Sequence, residues 1–140
     1  MFLLDTNVLS AMMKEAPEPR LAAWVAGQRA SSLFTATVCQ AEIFAGLAVM
    51  PHGRRRRGLE VAALAMFEKD FAGRVWPFDA AAALEYGAIF VLRREAGRPI
   101  ATMDLMIAAI ARARGAAVVT RDAGGFAGCG VGVVDPWGES

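Results

Sequence analysis

One stretch at the start of the chain restricts what the rest can fold into. Phe2-Leu3-Leu4 is apolar without alternation, then Asp5, Thr6 and Asn7 follow at once, and an apolar helical pattern resumes at Val8. An unalternating apolar run is the mark of a strand covered on both faces. Asp5 and Thr6 then stand at the carboxyl end of that strand, where open α/β sheets place their ligand sites. The same two residues also suit a simpler task, N-capping the helix that follows.

The pattern recurs downstream. Leu33 to Ala36, Val75 to Phe78, Ala116 to Thr120 and Val131 to Val134 read as further short strands. Between them lie helical patterns over Asn7 to Met13, Arg20 to Ala26, Thr37 to Val49, Arg57 to Phe71, Ala80 to Ala96 and Met103 to Arg114. Thr37-Val38-Cys39-Gln40 has the form of a capping box, and Asp79 and Thr102 suit N-caps. Pro51 to Arg57 reads as a loop. Alternating strands and helices predict an α/β three-layer sandwich, a central, mostly parallel sheet of about five short strands with helices on both faces. The 140 residues suit a single domain, 1–140.

Four acids fall at comparable junctions of this pattern. Asp5 and Asp122 follow strands. Glu42 sits early in an otherwise apolar helix, with Gly46 one turn on to admit a close backbone, and Asp104 lies in a helix's first turn. In a parallel sheet all four point toward the same edge. Each also has a plainer explanation: Glu42 as a solvent-facing residue, Asp104 as a partner for the helix dipole. Gathered together, they would repel unless a cation lay among them. Oxygen-only donors suit a hard ion such as Mg²⁺ or Mn²⁺, which activates water and stabilises a leaving oxygen in phosphodiester cleavage. Thr6, Asn7 and Thr120 are placed to orient those acids. His52 is the sole histidine, so neither a zinc set nor a Ser-His-Asp or Cys-His device is available.

The formal net charge is +1, and all but Lys14 and Lys69 of the basic side chains are arginine, the better binder of phosphate. Arg54, Arg55, Arg56 and Arg57 form the densest cluster; with Arg98 they are candidates for binding phosphates, against the plainer reading of a solvated loop and helix start. No apolar run is long enough to span a membrane. No basic leader precedes the first strand, and Cys39 and Cys129 lack metal-site spacing, so a cytoplasmic location with reduced thiols is expected. The hydrophobic content is 56% without counting Gly. Globular chains average roughly 45–50% with Gly included. The surplus implies apolar surface kept for a partner or a second copy, beyond what Ala-rich helices explain.

The motifs that carry these acids resemble a known family. Leu4-Asp5-Thr6-Asn7-Val8-Leu9-Ser10, Ala41-Glu42-Ile43-Phe44-Ala45-Gly46-Leu47, Asp104-Leu105-Met106-Ile107-Ala108-Ala109, Val119-Thr120-Arg121-Asp122 with Phe126, and Val134-Asp135-Pro136-Trp137 together look like the PIN-domain family, specifically its VapC-like toxin ribonucleases. The likeness spans residues 2 to 137. It implies Asp5, Glu42, Asp104 and Asp122 as metal-binding catalytic acids supported by Thr6 or Thr120, Mg²⁺- or Mn²⁺-dependent RNA cleavage, a homodimer, and inhibition by an antitoxin protein. Many relatives carry Asn at the position of Asp122 and an Asp near Gly125; here Asp122 is the acid and Gly125 is neutral. Two other functions fit less of the pattern: a housekeeping PIN nuclease for RNA processing, and a non-catalytic signalling domain. A phosphoacceptor receiver would need a lysine near its last strands, and none follows Lys69.

Overall fold

The computed structural model describes residues 1–138. Its elements run β1 (Phe2–Leu4), α1 (Thr6–Met12), α2 (Pro19–Ala26), β2 (Leu33–Ala36), α3 (Thr37–Ala48), α4 (Arg54–Ala65), β3 (Val75–Trp76), α5 (Ala80–Glu95), α6 (Thr102–Arg114), β4 (Ala117–Val119) and β5 (Val133–Val134). The strands form one five-stranded sheet in the order β3-β2-β1-β4-β5, and every ladder is parallel. The chain therefore builds outward from β1 through β2 to β3, then crosses back to lay β4 and β5 on the other side. Right-handed crossovers in the two directions put helices on opposite faces. The reversal falls between β1 and β4, and the crevice at such a switch point is where an open α/β sheet takes a ligand.

The core explains the unalternating strands. Leu3 and Leu4 of β1 and Val118 and Val119 of β4 are fully buried, with Ile107 to Ile110 of α6 and Phe126 packed among them. In α6 the left-handed Gly115 (φ 67°) ends the helix, turning the chain directly into β4. Among the described residues, no helix is long and apolar enough to cross a membrane. The apolar surplus shows as exposed Val61 and Leu64 on α4 and Leu84, Phe90 and Val91 on α5.

Several helix starts differ from expectation. Thr37 is the first residue of α3, with Ala36 in the cap position and no side-chain capping bond, so the capping box does not form. Ala36 is also the buried last residue of β2, and the strand passes into the helix without the linker a cap needs. Thr102 likewise lies inside α6, capped by Ala101 without a side-chain bond. Asp79 does cap α5, its Oδ1 accepting from Ala82 N at 3.0 Å. Arg54 to Arg57 are not a loop but the first turn of α4, which begins straight after Gly53 (φ 154°). Positive side chains there oppose the helix dipole. Local bonds offset part of that cost: Arg56 Nε donates to Glu60 Oε1 at 3.0 Å, one turn along, and Arg56 Nη1 to the Met50 carbonyl at 3.1 Å. The helical stretch predicted to reach Phe71 ends as α4 at Ala65, and Met66–Asp70 continue it as a wider π turn.

Candidate active site

Asp5 follows β1 and is buried at the switch point, 5% exposed. Its backbone N–H donates to Val119 O at 2.9 Å, which prolongs the β1–β4 ladder by one residue and sets the side chain between the two strands. The carboxylate has two roles at once. Oδ1 accepts from Thr6 N at 2.8 Å and caps α1; Oδ2 accepts from the Thr120 hydroxyl at 2.8 Å.

Thr120, fully buried at the end of β4, ties together Asp5, Asn7 of α1 and the Asp122 backbone. Its Oγ1 donates to Asp5 and accepts from Asn7 Nδ2 at 3.3 Å and from Asp122 N at 3.0 Å. One donor and two lone pairs are all a hydroxyl has, so its capacity is filled. Asn7 is held at both ends of its amide, since its Oδ1 accepts from Arg121 N at 3.2 Å. Thr6 Oγ1 donates to Glu42 Oε1 at 2.7 Å, tying the second acid to the first turn of α1. All three polar residues flanking the acids are thus bonded to them or to one another.

Electrostatics shows which acids share a neighbourhood. Burial pushes the Asp5 carboxyl up to about 6; the bonds from Thr120 and Thr6 N pull it down, and the charges of Asp104 and Glu42 raise it further. Asp104, in the first turn of α6, is held above its ordinary value by burial, then by Glu42 and Asp122. Asp5 and Asp104 thus each lie within reach of the charge of two of the other acids. None of the ion pairs among the described residues reaches them: arginines pair instead with Glu60, Glu85, Asp79 and Glu18.

The four carboxylates and two threonine hydroxyls offer oxygen donors, which fits a hard divalent cation; the buried Cys39 thiol beside Thr6 and Asp5 is pushed up to about 12 by burial and stays protonated. The arrangement as it stands is not a closed cage. Among the described residues, no three acid, histidine or cysteine side chains are gathered tightly enough to hold a metal ion. The carboxylates with partners bond to neighbouring hydroxyl and backbone groups: Asp5 to Thr6 N and Thr120, Glu42 to Thr6, Asp122 Oδ1 to Gly125 N at 3.2 Å. Mutual repulsion favours that spread.

Asp122 also explains the neutral residue at 125. A Cβ on Gly125 would lie 2.4 Å from Asp122 Oδ2, so the carboxylate occupies the space a side chain at 125 would need. Arg98 lies at this end of the site, exposed, its Nη2 donating to Gly124 O at 3.3 Å. Arg54, Arg55 and Arg57 are exposed on α4. Arg56, half-buried and bonded to Glu60 and Met50, is committed to structure.

Sequence reasoning missed two features. Arg93 of α5 is buried and donates to the carbonyls of Arg98 and Ala127, clamping the glycine-rich segment that follows Asp122. An arginine inside an apolar helix next to Glu95 looks like surface, and nothing local marks it as buried. The second is a mostly apolar cleft of about 220 Å³ that begins at Thr6 and Glu42 and passes Gly46. Gly46 faces open space, with no heavy atom within 4 Å of where its Cβ would be, and admits no close backbone.

With this geometry in hand, comparison with known proteins is decisive. The PIN domain matches residues 2–128. The chain belongs to the PIN domain family. This PIN domain is 40% identical over 141 residues to the plasmid stability protein StbB of Pseudomonas syringae pv. tomato, covering 98% of this chain and 99% of that protein. It is 36% identical over 137 residues to the VapC ribonuclease Y4jK of Sinorhizobium fredii, covering 98% of each. With the toxin FitB of Neisseria gonorrhoeae it shares 34% over 137 residues, covering 98% of this chain and 99% of that one. Among solved structures, the PIN domain superposes on a chain of FitAB bound to an IR36 DNA fragment with a TM-score of 0.92 at 33% identity, covering 100% of this chain and 98% of that one.

Proposed function

We propose that this PIN domain is a metal-dependent endoribonuclease, the toxin of a toxin–antitoxin pair, and that Asp5, Glu42, Asp104 and Asp122 hold the Mg²⁺ or Mn²⁺ it requires. One observation carries the reading: Asp5 and Asp104, on separate elements near the sheet's switch point, each feel the charge of two others of the four acids, and among the described residues no salt bridge reaches any of the four. The names of its relatives, a VapC ribonuclease and a toxin, support the same direction.

A bound divalent cation would supply a Lewis acid and a water acidic enough to attack phosphorus at neutral pH. The chain's own residues do the rest. Thr120 and Thr6 fix the rotamers of Asp5 and Glu42, so both carboxylates are aimed before substrate arrives. Asn7, through Thr120 and Arg121 N, keeps the segment bearing Asp122 in register with α1. Arg98, beside the loop after Asp122, is placed to take a phosphate of the RNA backbone, and the exposed Arg54, Arg55 and Arg57 extend the positive surface. The exposed apolar faces of α4 and α5 suit an antitoxin and a second copy of the chain.

The test is RNA cleavage by the purified chain with Mg²⁺ or Mn²⁺ and with EDTA, alongside Asp104→Asn. Cleavage that needs the ion, disappears in the variant and is blocked by the protein encoded next to this one supports the reading. Undiminished cleavage by Asp104→Asn, or in EDTA, rejects it. Thermal melting adds an independent readout: Mg²⁺ at about 100 times its Kd would stabilise the wild type by about 2.7 kcal/mol, and Asp104→Asn by much less.

A further inference from the structure

We propose that the cleft beside Glu42 seats one unstacked base of the RNA, next to the bond that is cut, and that Gly46 is the residue that keeps this seat open. The inference rests on the nuclease reading and names a substrate contact within it.

The cleft and the acid cluster share walls. Thr6 and Glu42 border both, so a strand whose phosphate lies at the acids places its neighbouring nucleotide at the cleft mouth. From there the lining turns apolar, with Met13 of the α1 end, Met50 after α3 and Leu59 of α4, while Ser10 adds a hydroxyl. Apolar walls with a few hydrogen-bonding groups at one side match a base, which has two apolar faces and a polar edge. Methionine thioethers favour aromatic rings. At about 220 Å³ the space is below the roughly 300–1,000 Å³ typical of sites for drug-sized ligands. It suits one planar ring system. Leu59 brings the wall onto α4, whose first turn carries the arginines, so positive charge for the next phosphate stands on the same helix.

Gly46 supplies the second argument. It lies inside α3 on an exposed face, where glycine is less stable than alanine. Neither a positive φ nor a neighbour demands it, since nothing lies within 4 Å of its missing Cβ. The flanking helix uses alanine freely at 41, 45 and 48. Gly46 lines a cleft that reaches Glu42, and a larger side chain there would enter the space that the glycine leaves open. Gly87 is equally free of neighbours inside a helix but does not border the cleft, which makes it a control.

The experiment compares the full chain with Gly46→Leu, Gly46→Ala and Gly87→Ala. The probe is a short single-stranded RNA and the same RNA with an abasic site moved along it, cleaved in Mg²⁺ or Mn²⁺. For the wild type, one abasic position beside the cut is expected to lower kcat/KM by about 5- to 150-fold, the equivalent of one stacked base. Gly46→Leu is expected to lose a similar factor on intact RNA, mainly through KM, and to become indifferent to that abasic position. Gly46→Ala is expected to move partway while melting at or above the wild-type temperature, which separates a blocked cleft from a damaged fold. The Gly87 variant keeps wild-type cleavage. Even cleavage along the abasic series, or wild-type behaviour in Gly46→Leu, overturns the proposal. So does a Gly46→Leu protein that cleaves normally but no longer binds its protein inhibitor, which would assign the cleft to that partner. If the wild type cleaves no RNA at all, the nuclease reading falls and the base seat with it.

Discussion

Asp5→Asn should make the free protein more stable at neutral pH while removing its activity. Asp5 has a carboxyl pushed up to about 6 from an ordinary 3.8, with burial as the first cause. Its folded form binds a proton more tightly than its unfolded form. Stability therefore stands at its full value below pH 4, falls as pH rises through 4 to 6, and stays low above 6. Roughly two pH units at 1.36 kcal/mol each make the cost of ionising Asp5 about 3 kcal/mol at pH 7.5. Asparagine removes that cost. Its Oδ1 can still cap α1 through Thr6 N, but its amide now faces Thr120 Oγ1, which already accepts from Asn7 and Asp122 N and loses the acceptor for its own proton. That conflict costs about 1–2 kcal/mol. The net gain is then about 1–2 kcal/mol, or roughly 3–8 °C in Tm.

The assay is thermal or urea unfolding in EDTA at pH 4 and pH 7.5. Because wild-type Asp5 is protonated in the folded protein at pH 4, the variant keeps only the hydrogen-bond conflict there and should be the less stable of the two. The difference between variant and wild type therefore changes sign between the two pH values. A variant less stable than wild type by the same amount at both would refute the reasoning, because it would mean that the lost hydrogen bonds, and not the buried charge, govern this position.

Three further outcomes follow from the same geometry. Gly125→Ala places a methyl in the space of the Asp122 carboxylate and should lower cleavage at least tenfold with a Tm loss of only a few degrees, read by single-turnover cleavage beside a melt. Thr120→Val keeps the side-chain shape but strips three partners of their bonds; it should destabilise by about 2–4 kcal/mol and push the Asp5 carboxyl above about 6, displacing the acid limb of the pH–rate profile upward. Arg54→Glu with Arg55→Glu should weaken RNA binding and flatten its dependence on salt, measured by titration in EDTA so that no cleavage occurs, and should raise the melting temperature, because acids in a first turn favour the helix dipole.

How much of this could be read from the sequence depended on whether the signal was local. Phe2–Leu4 and Ala117–Val119 could be recognised as strands because burial on both faces removes alternation, and the observed ladders pair them directly. The edge on which Asp5 and Asp122 meet follows from parallel direction alone. Where the reading failed, a neighbour distant in sequence or a missing linker decided the outcome. Thr37 and Thr102 have the right chemistry for caps, but each helix starts one residue earlier because the preceding segment runs into it extended. Arg54 to Arg57 read as the end of the loop that starts at Pro51, while Arg56 finds Glu60 and the Met50 carbonyl only once the helix exists. Buried Arg93 is satisfied by carbonyls of residues 98 and 127, which no pattern around position 93 announces.

The corrected helix start changes how the arginines act. In a loop, each could follow a phosphate independently. In the first turn of α4 their spacing is fixed, and the dipole they oppose makes the free helix end less stable than it would be with a backbone phosphate against it. Phosphate binding at that turn would therefore stabilise α4 as well as hold the RNA. Since Leu59 of the same helix walls the cleft that begins at Glu42, ordering α4 would also firm the wall beside the acids. Binding and catalysis would then be coupled through one helix. The Arg54→Glu, Arg55→Glu protein, with a helix already stabilised, should for that reason lose affinity for RNA while its kcat at saturating substrate stays near the wild-type value; a kcat that falls in proportion to affinity would show instead that the arginines position the cut and do more than hold the strand.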